Sequence, residues 1–272
     1  YPETHLFYGP LFTDQYSGLD ENNPYVDDKP KYEKDKKLGK YVVVNDFVNA
    51  TQNYNSKHAA ILPRMWSGEH AENYMMYTGY LDFKIKTEYQ MQNELRSIVI
   101  DFRKQVSEGY IDYEDYHKFL KTYAAYLDIE KPSFGQNIAY LLEYQLGFMY
   151  WRYFMWNFTG RQDDIQGKYD MHGNWLSGIK FIDEFFLGYP QEYLPSDVVN
   201  NKARNTYYFL PFLLGLIGLF FLFNTDKKLF WIMLVFFLFT GLAIQFYTNV
   251  RPFEPRERDY SVVGSFYVFA MW

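Results

Sequence analysis

Two apolar runs in the last third of the chain constrain its fold more than any other feature. Residues 207–223 read YYFLPFLLGLIGLFFLF and residues 229–248 read LFWIMLVFFLFTGLAIQFYT, and neither run holds a charged side chain. Five polar residues, Asn224-Thr225-Asp226-Lys227-Lys228, separate them. As helices the runs would reach roughly 26 and 30 Å, about the thickness of a bilayer's hydrocarbon core. A hairpin apolar on every face is not stable in water, so the expectation is a transmembrane helical hairpin rather than two buried helices of a large globular core.

The mean hydropathy of the whole chain, −0.36, hides this because a long polar segment precedes the hairpin. Residues 1–135 are rich in Asp, Glu, Lys, Asn and Tyr and read as an extramembrane polar domain with length enough for its own core. The formal charge of −6 argues against a nucleic-acid partner. With no cysteine, disulfide, zinc-thiolate and thiol-nucleophile chemistry are excluded. Residues 1–5 lack the basic and apolar regions of a signal peptide. Residues 262–272 (VVGSFYVFAMW) resemble the first half of a further membrane helix, and the chain reads as an internal piece of a larger polytopic protein. Tyr207, Tyr208, Trp231 and Tyr247 sit near the ends of the two runs, where aromatic anchors favour the headgroup layer.

Along the chain, Tyr8-Gly9-Pro10 and Asn23-Pro24 mark turns, and the charged run Lys29 to Lys40 reads as a solvated loop. Lys40 to Val48 (KYVVVNDFV) is β-branched and reads as a strand. Residues 61–66 form a turn-bound apolar patch. Between Thr87 and Val106 the positions Met91, Leu95, Ile98, Val99 and Phe102 recur at helical spacing, predicting one buried stripe. Tyr116, Phe119, Leu120 and Tyr123 do the same between Tyr113 and Leu127, so two helices joined around Gly109 should pack as a hairpin. Residues 136–158 are long, apolar and aromatic but carry Glu143 and Arg152; an interfacial helix and a transmembrane helix fit them equally. Residues 159–206 return to Gly, Asp, Asn and Pro and read as a structured loop. Lys227 and Lys228 favour a cytoplasmic turn, while Lys202, Arg204, Arg251, Arg256 and Arg258 on the opposite flanks vote the other way.

Two constellations could carry chemistry. The loop 249–261 holds Arg251, Arg256 and Arg258 among acids and prolines, next to the second apolar run. Arg forks match phosphate, so Arg256 and Arg258 are candidate donor-phosphate ligands, supported by Glu257, Asp259 and Tyr260. Glu257 and Asp259 would orient them or hold a divalent cation. A juxtamembrane ion-pair network fits the same pattern. The second set is Asn157, Arg161, Asp163 and Asp164, followed by Asp170, His172, Asn174 and Trp175. Amides, acids and an indole this close can bind a sugar or a metal, or simply order a loop. Asn157-Phe158-Thr159 matches the N-glycosylation pattern. Five scattered histidines give no metal-ligand spacing, and no nucleophile-elbow, Walker or HExxH pattern occurs.

The strings LEYQLGFMYWRYFMWNFTGRQDDIQG, GNWLSGI, KARNTYYFLPFLLGLIGLFF and PRERDYSVVGSFYVFAMW resemble a family of large polytopic membrane proteins common in Bacteroidetes, similar to protein O-mannosyltransferases. The likeness is close over 132–272 and looser at residues 8–12 and 62–66. It implies a glycosyltransferase of GT-C type in a bacterial inner membrane. Such an enzyme would move a sugar, mannose for example, from a polyprenyl-phosphate donor to Ser or Thr of exported proteins, with the large loop periplasmic. The family's acidic Trp-Asp-Cys-Gly-Glu-like motif is absent here, so the resemblance implies a catalytic carboxylate upstream. The expected fold class is thus a mainly α-helical membrane protein: a transmembrane helical hairpin plus a mixed α/β extramembrane domain. The lipid bilayer, the donor and a protein acceptor are its expected partners. A non-catalytic scaffold of an envelope complex is the competing reading. A transporter is a weaker one, because neither apolar run contains the charges of an ion or substrate path.

Overall fold

Short strands open the described part of the chain. β1 (Tyr25–Val26), β2 (Lys31–Asp35), β3 (Lys40–Val44) and β4 (Thr51–Gln52) form two antiparallel pairs, β1 with β4 and β2 with β3. The structure, a computed structural model, describes residues 25–26, 31–44, 51–52, 70–168, 171–253 and 259–272. The turns predicted near Gly9 and Asn23 and the apolar patch at 61–66 lie outside these. The charged run read as a solvated loop is therefore half strand. Its tight turn is held by Asp35, whose carboxylate accepts from the amides of Lys37 (2.7 Å) and Leu38 (3.2 Å). Tyr32, Tyr41 and Val43 on one face of the β2–β3 hairpin and Glu33 and Lys40 on the other are exposed, so both faces meet solvent and no alternation betrays the first strand.

The chain divides into two units, Tyr1–Asn137 and Ile138–Trp272. In the first, α1 (Ala71–Thr78) is followed by β5 (Phe83–Ile85), α2 (Asn93–Ser107), α3 (Tyr113–Thr122) and β6 (Leu127–Ile129). β5 and β6 pair antiparallel. Asp112 caps α3 by accepting from the Asp115 amide (2.8 Å), and its position before the apolar stripe is the usual start signal. The predicted helical hairpin forms: the rings of Phe102 and Phe119 stack at 3.6 Å, and Leu95, Val99, Tyr116 and Leu120 are buried. Met91 is not part of the stripe. It precedes the helix and is 90% exposed, and Ile98 is 40% exposed.

The boundary between the units falls within a long helical run. α4 (Phe134–Tyr140) continues as a π-helix (Leu141–Arg152) and then α5 (Tyr153–Phe158). β7 (Gly160–Arg161), α6 (Lys180–Leu187), α7 (Ser196–Val199) and β8 (Asn205–Thr206) follow, with β7 and β8 paired antiparallel. Three stretches of main chain meet at Gly160, where φ is +144° and a Cβ would come within 2.3 Å of Leu176 O and 2.7 Å of Asn205 O. Only glycine tolerates both the dihedral and the approach. The last helices are α8 (Leu210–Thr225), α9 (Lys227–Leu238), a π-turn (Phe239–Ala243), α10 (Ile244–Thr248) and α11 (Val263–Met271). Asp226 caps α9 through the Leu229 amide (3.0 Å). The core is aromatic: Tyr150, Phe154, Met155, Trp175, Val262 and Phe269 are buried, and Phe269 meets Phe154 and Phe158 edge-on at 4.8 and 4.7 Å.

The expected transmembrane hairpin is not what forms. Tyr208 and Phe209 take left-handed backbone (φ 51° and 61°), so α8 starts only at Leu210 and runs 16 residues, about 24 Å and short of a bilayer core. Among the described residues, one helical run, Lys227–Thr248, is both long and apolar enough to cross a membrane; the aromatic run 134–158 falls short in apolarity. Small two-stranded sheets and one crossing-length helix replace the multi-pass fold expected from the sequence. Only 17% of that helix's apolar window is buried. Trp231, Ile232, Val235, Phe236 and Phe239 all face outward.

One prediction follows from the first unit. Tyr116 donates to Leu81 O (2.6 Å), and burial, with the Asp82 carboxylate adding to it, pushes its pKa up to about 12 from 10.0. A raised folded-state pKa means the phenolate is disfavoured in the fold. The contribution is therefore complete below about pH 10 and is lost as the pH climbs to about 12. In urea titrations of the full chain followed by circular dichroism, Tyr116→Phe should be about 1 kcal/mol less stable at pH 7 yet lose less stability between pH 10 and 12. Equal slopes for the two proteins would contradict this.

Candidate functional site

The π-helix forms the shared wall of two neighbouring cavities in the second unit. The wider helical turn places Leu142, Leu146, Tyr150 and Trp151 against α8, α9 and α11, around an apolar cavity of about 490 Å³. Phe212, Leu216, Phe237 and Phe269 line its other sides, with no charged side chain. The second cavity, about 630 Å³, is lined by Glu143, Arg152, Asn174 and Tyr189 together with Phe148 and Phe186. Gly147 and Trp151 border both. π-helical segments are uncommon and concentrate at functional sites.

Arg152 is 5% exposed. Its Nε donates to Phe148 O (3.1 Å), its Nη1 donates to Gly173 O, and its guanidinium lies 4.3 Å from the centroid of the Phe148 ring. Carbonyl dipoles and a ring face thus hold a buried cation at the cavity wall. The sequence marks Arg152 only as an interruption of an apolar stretch. A charge tolerated there was the available signal, because such charges are costly and mark polar sites.

The second predicted constellation is partly assembled. Asp163 is 2% exposed and accepts from the Gly173 amide (2.9 Å), the Ile165 amide (3.2 Å) and His172 Nδ1 (2.9 Å). Its carbonyl takes the Trp156 indole N–H (3.1 Å). Arg161 lies over the same indole at 4.0 Å. The other two residues go elsewhere. Asn157 turns back to donate to Tyr153 O (2.8 Å), and Asp164 is exposed and accepts from Asn201 (3.3 Å). Thr159 is fully buried, which removes the glycosylation pattern from reach. Asp163 is therefore the pin of a loop whose Gly173 carbonyl holds Arg152.

Of the predicted phosphate ligands, Arg256, Arg258 and Glu257 lie outside the described residues, as does the side chain of Asp259; Tyr260 is exposed. No group of three or more His, Asp or Glu side chains converges as a metal site would require among the described residues.

Removing the pin has a measurable consequence. Asp163→Ala should open the 163–173 loop and speed tryptic cleavage after Lys168 by about tenfold, the size expected when a buried carboxylate's hydrogen bonds are lost. The exposed control Asp164→Ala should cleave at the wild-type rate.

No curated protein and no solved structure matches this chain. A sequence profile does match, over residues 2–142, a span that takes in the first unit and the start of the π-helix. That profile covers just over half of the chain, and the protein belongs to the family of unknown function DUF8416.

Proposed function

We propose that the second unit holds a lipid-linked phosphate, with the tail in the apolar cavity and the phosphate against Arg152, as part of a glycosyltransferase. The donor would be a polyprenyl-phosphate sugar, the one implied by the resemblance of 132–272, and the acceptor a Ser or Thr hydroxyl of an exported protein. The observation that carries this reading is the adjacency of the cavities: one wholly apolar, the other polar and bounded by a buried guanidinium, with Gly147 and Trp151 common to both. A molecule with a greasy tail and an anionic head fits that pair better than a wholly polar or wholly apolar ligand does.

In the reaction, the acceptor oxygen bonds to the sugar's anomeric carbon as the bond from that carbon to the phosphate oxygen breaks. The electron pair leaves with the lipid phosphate, and the hydroxyl proton passes to a carboxylate base. Arg152 favours the step by facing the charge that grows on the phosphate. Arg256 and Arg258 belong to the same proposal as further phosphate contacts. The bilayer is the first partner in this reading, supported by the outward apolar face of the Lys227–Thr248 run. A bacterial inner membrane, with the polar N-terminal segment in the periplasm, is the location that suits an exported acceptor.

Two measurements test it. With the full chain in detergent micelles, Arg152→Lys, which keeps the charge but loses the fork, should weaken binding of a polyprenyl phosphate about tenfold. Leu216→Trp, which fills the apolar cavity, should weaken a long-chain lipid phosphate more than a short-chain one. Unchanged affinity in both variants would refute the site. In cells, deleting the gene should strip sugar from envelope proteins, and Arg258→Ala should reduce that transfer. Full transfer by the Arg258→Ala protein would remove that residue from the proposal.

A further inference from the structure

Helix α6 turns one of its acids inward and two of its phenyl rings outward. Asp183 is 4% exposed, and its carboxylate accepts from the Ser177 amide (2.7 Å), the Ser177 hydroxyl (2.7 Å) and the Gly178 amide (2.8 Å). Two residues either side, about half a turn round, Phe181 is 79% and Phe185 84% exposed. Tyr193, just beyond the helix, is 89% exposed. Phenyl rings this exposed, flanked by Lys180 and Glu184, suit a boundary with charge on one side and apolar matter on the other.

The position of α6 says which surrounding. Phe186 packs on Trp175 (4.4 Å) and Trp175 on Phe209 (6.0 Å), while Ser177 O accepts from the Tyr208 amide (3.1 Å). The helix is thus fastened to the residues that begin α8. α8 and α9 are joined through the single residue Asp226, so they are level at that end. The run Lys227–Thr248 has 22 residues and α8 has 16. The difference leaves the start of α8 roughly 9 Å short of the far end of its partner. Interfacial helices bury their apolar face about 5–10 Å into the boundary between headgroups and acyl chains, the depth at which α8 begins.

We infer that α6 lies in the headgroup layer of a bilayer, with Phe181, Phe185 and Tyr193 set into the lipid, at the end of the crossing helix opposite the Asp226 turn. This rests on the membrane reading of Lys227–Thr248 and adds a second, peripheral lipid contact to it. Tyr208 and Leu210, both exposed where α6 is fastened, lie between the α6 segment and α8 in sequence and would share that boundary.

The chain has no cysteine, so single labels can be placed without other changes. Nitroxides at Phe185→Cys, Val235→Cys and Ser107→Cys would be read in the full chain, reconstituted in phosphatidylethanolamine–phosphatidylglycerol vesicles. The readout is collision with oxygen against collision with a water-soluble nickel chelate. The label at 235 should read deep and that at 107 aqueous. At 185 the oxygen-to-nickel ratio should exceed that at 107 by about threefold, the mark of a shallow interfacial site. A deep label at 235 with an aqueous one at 185 overturns the inference and leaves the crossing helix standing. Aqueous readings at both positions overturn the crossing helix and the inference together. Spin–spin broadening between labels at 185 would assign that face to a second copy of the chain and overturn the lipid contact.

Discussion

Everything the second unit presents depends on a seam of main-chain hydrogen bonds where residues 159–161, 175–178 and 205–208 meet. Leu176 donates to Gly160 O (3.0 Å), Tyr207 to Thr159 O (2.9 Å) and Tyr208 to Ser177 O (3.1 Å), beside the β7–β8 pair. Buried amides and carbonyls must find partners, and here they find one another across segments far apart in sequence. The seam holds Tyr208 and Phe209 in the left-handed region, a conformation that bulky side chains seldom adopt. The strain is local, and its structural result is large. It decides where α8 starts, and therefore that α8 is too short to match its partner.

Three ionic side chains buried in this unit, Asp183, Asp163 and Arg152, are held chiefly by the backbone. Asp183 takes two amides and a hydroxyl, Asp163 takes two amides and an imidazole, and Arg152 gives protons to two carbonyls. Backbone dipoles fixed by secondary structure need no side-chain entropy to hold them in place, so they suit ions in an aromatic core. Such ions also fix loops that carry little apolar packing. The Asp163 loop and the Arg152 guanidinium meet at Gly173, whose amide serves one and whose carbonyl serves the other. The shape of the polar cavity is therefore tied to the conformation of a Gly- and Asp-rich loop.

How much of this could be read from the residues depended on how local the determinants were. The α2 and α3 stripes were legible because Leu95, Val99, Phe102, Tyr116 and Leu120 repeat at helical spacing and are indeed buried. Met91 fitted the spacing but precedes Asn93, where the helix begins, since periodicity says nothing about a missing cap. β2 was missed because a hairpin exposed on both faces carries no alternation, and its Lys and Glu residues read as loop. α6 was missed for a related reason: Asp183 breaks the apolar stripe from the inside, while Phe181 and Phe185 sit where polar residues are expected. The length of the first apolar run was misjudged because its first three residues are bent by partners about 30 and 50 positions upstream, at Ser177 and Thr159. Of the candidate site, Asp163 and Arg161 were singled out as part of a polar cluster, but the indole they meet is Trp156 rather than the Trp175 named with them, and Arg152 was not singled out, since nothing local announces the carbonyl of Gly173.

The seam also gives the unit a direction. The walls of the apolar cavity include Leu219 and Leu234, well along α8 and α9, whereas those of the polar cavity include Asn174, Phe186 and Tyr189, from the segment that packs at the start of α8. Polarity thus rises from the hairpin toward α6. An amphiphile held across Gly147 and Trp151 would follow that gradient, tail toward the Asp226 turn and head toward α6. Headgroup depth and helix depth are then set by one feature. On the membrane reading proposed above, the early stop of α8 would place α6 at the level where a lipid changes from chain to headgroup. On the same reading, a longer α8, reaching the end of its partner, would lift the segment that holds α6 and the polar cavity away from that level.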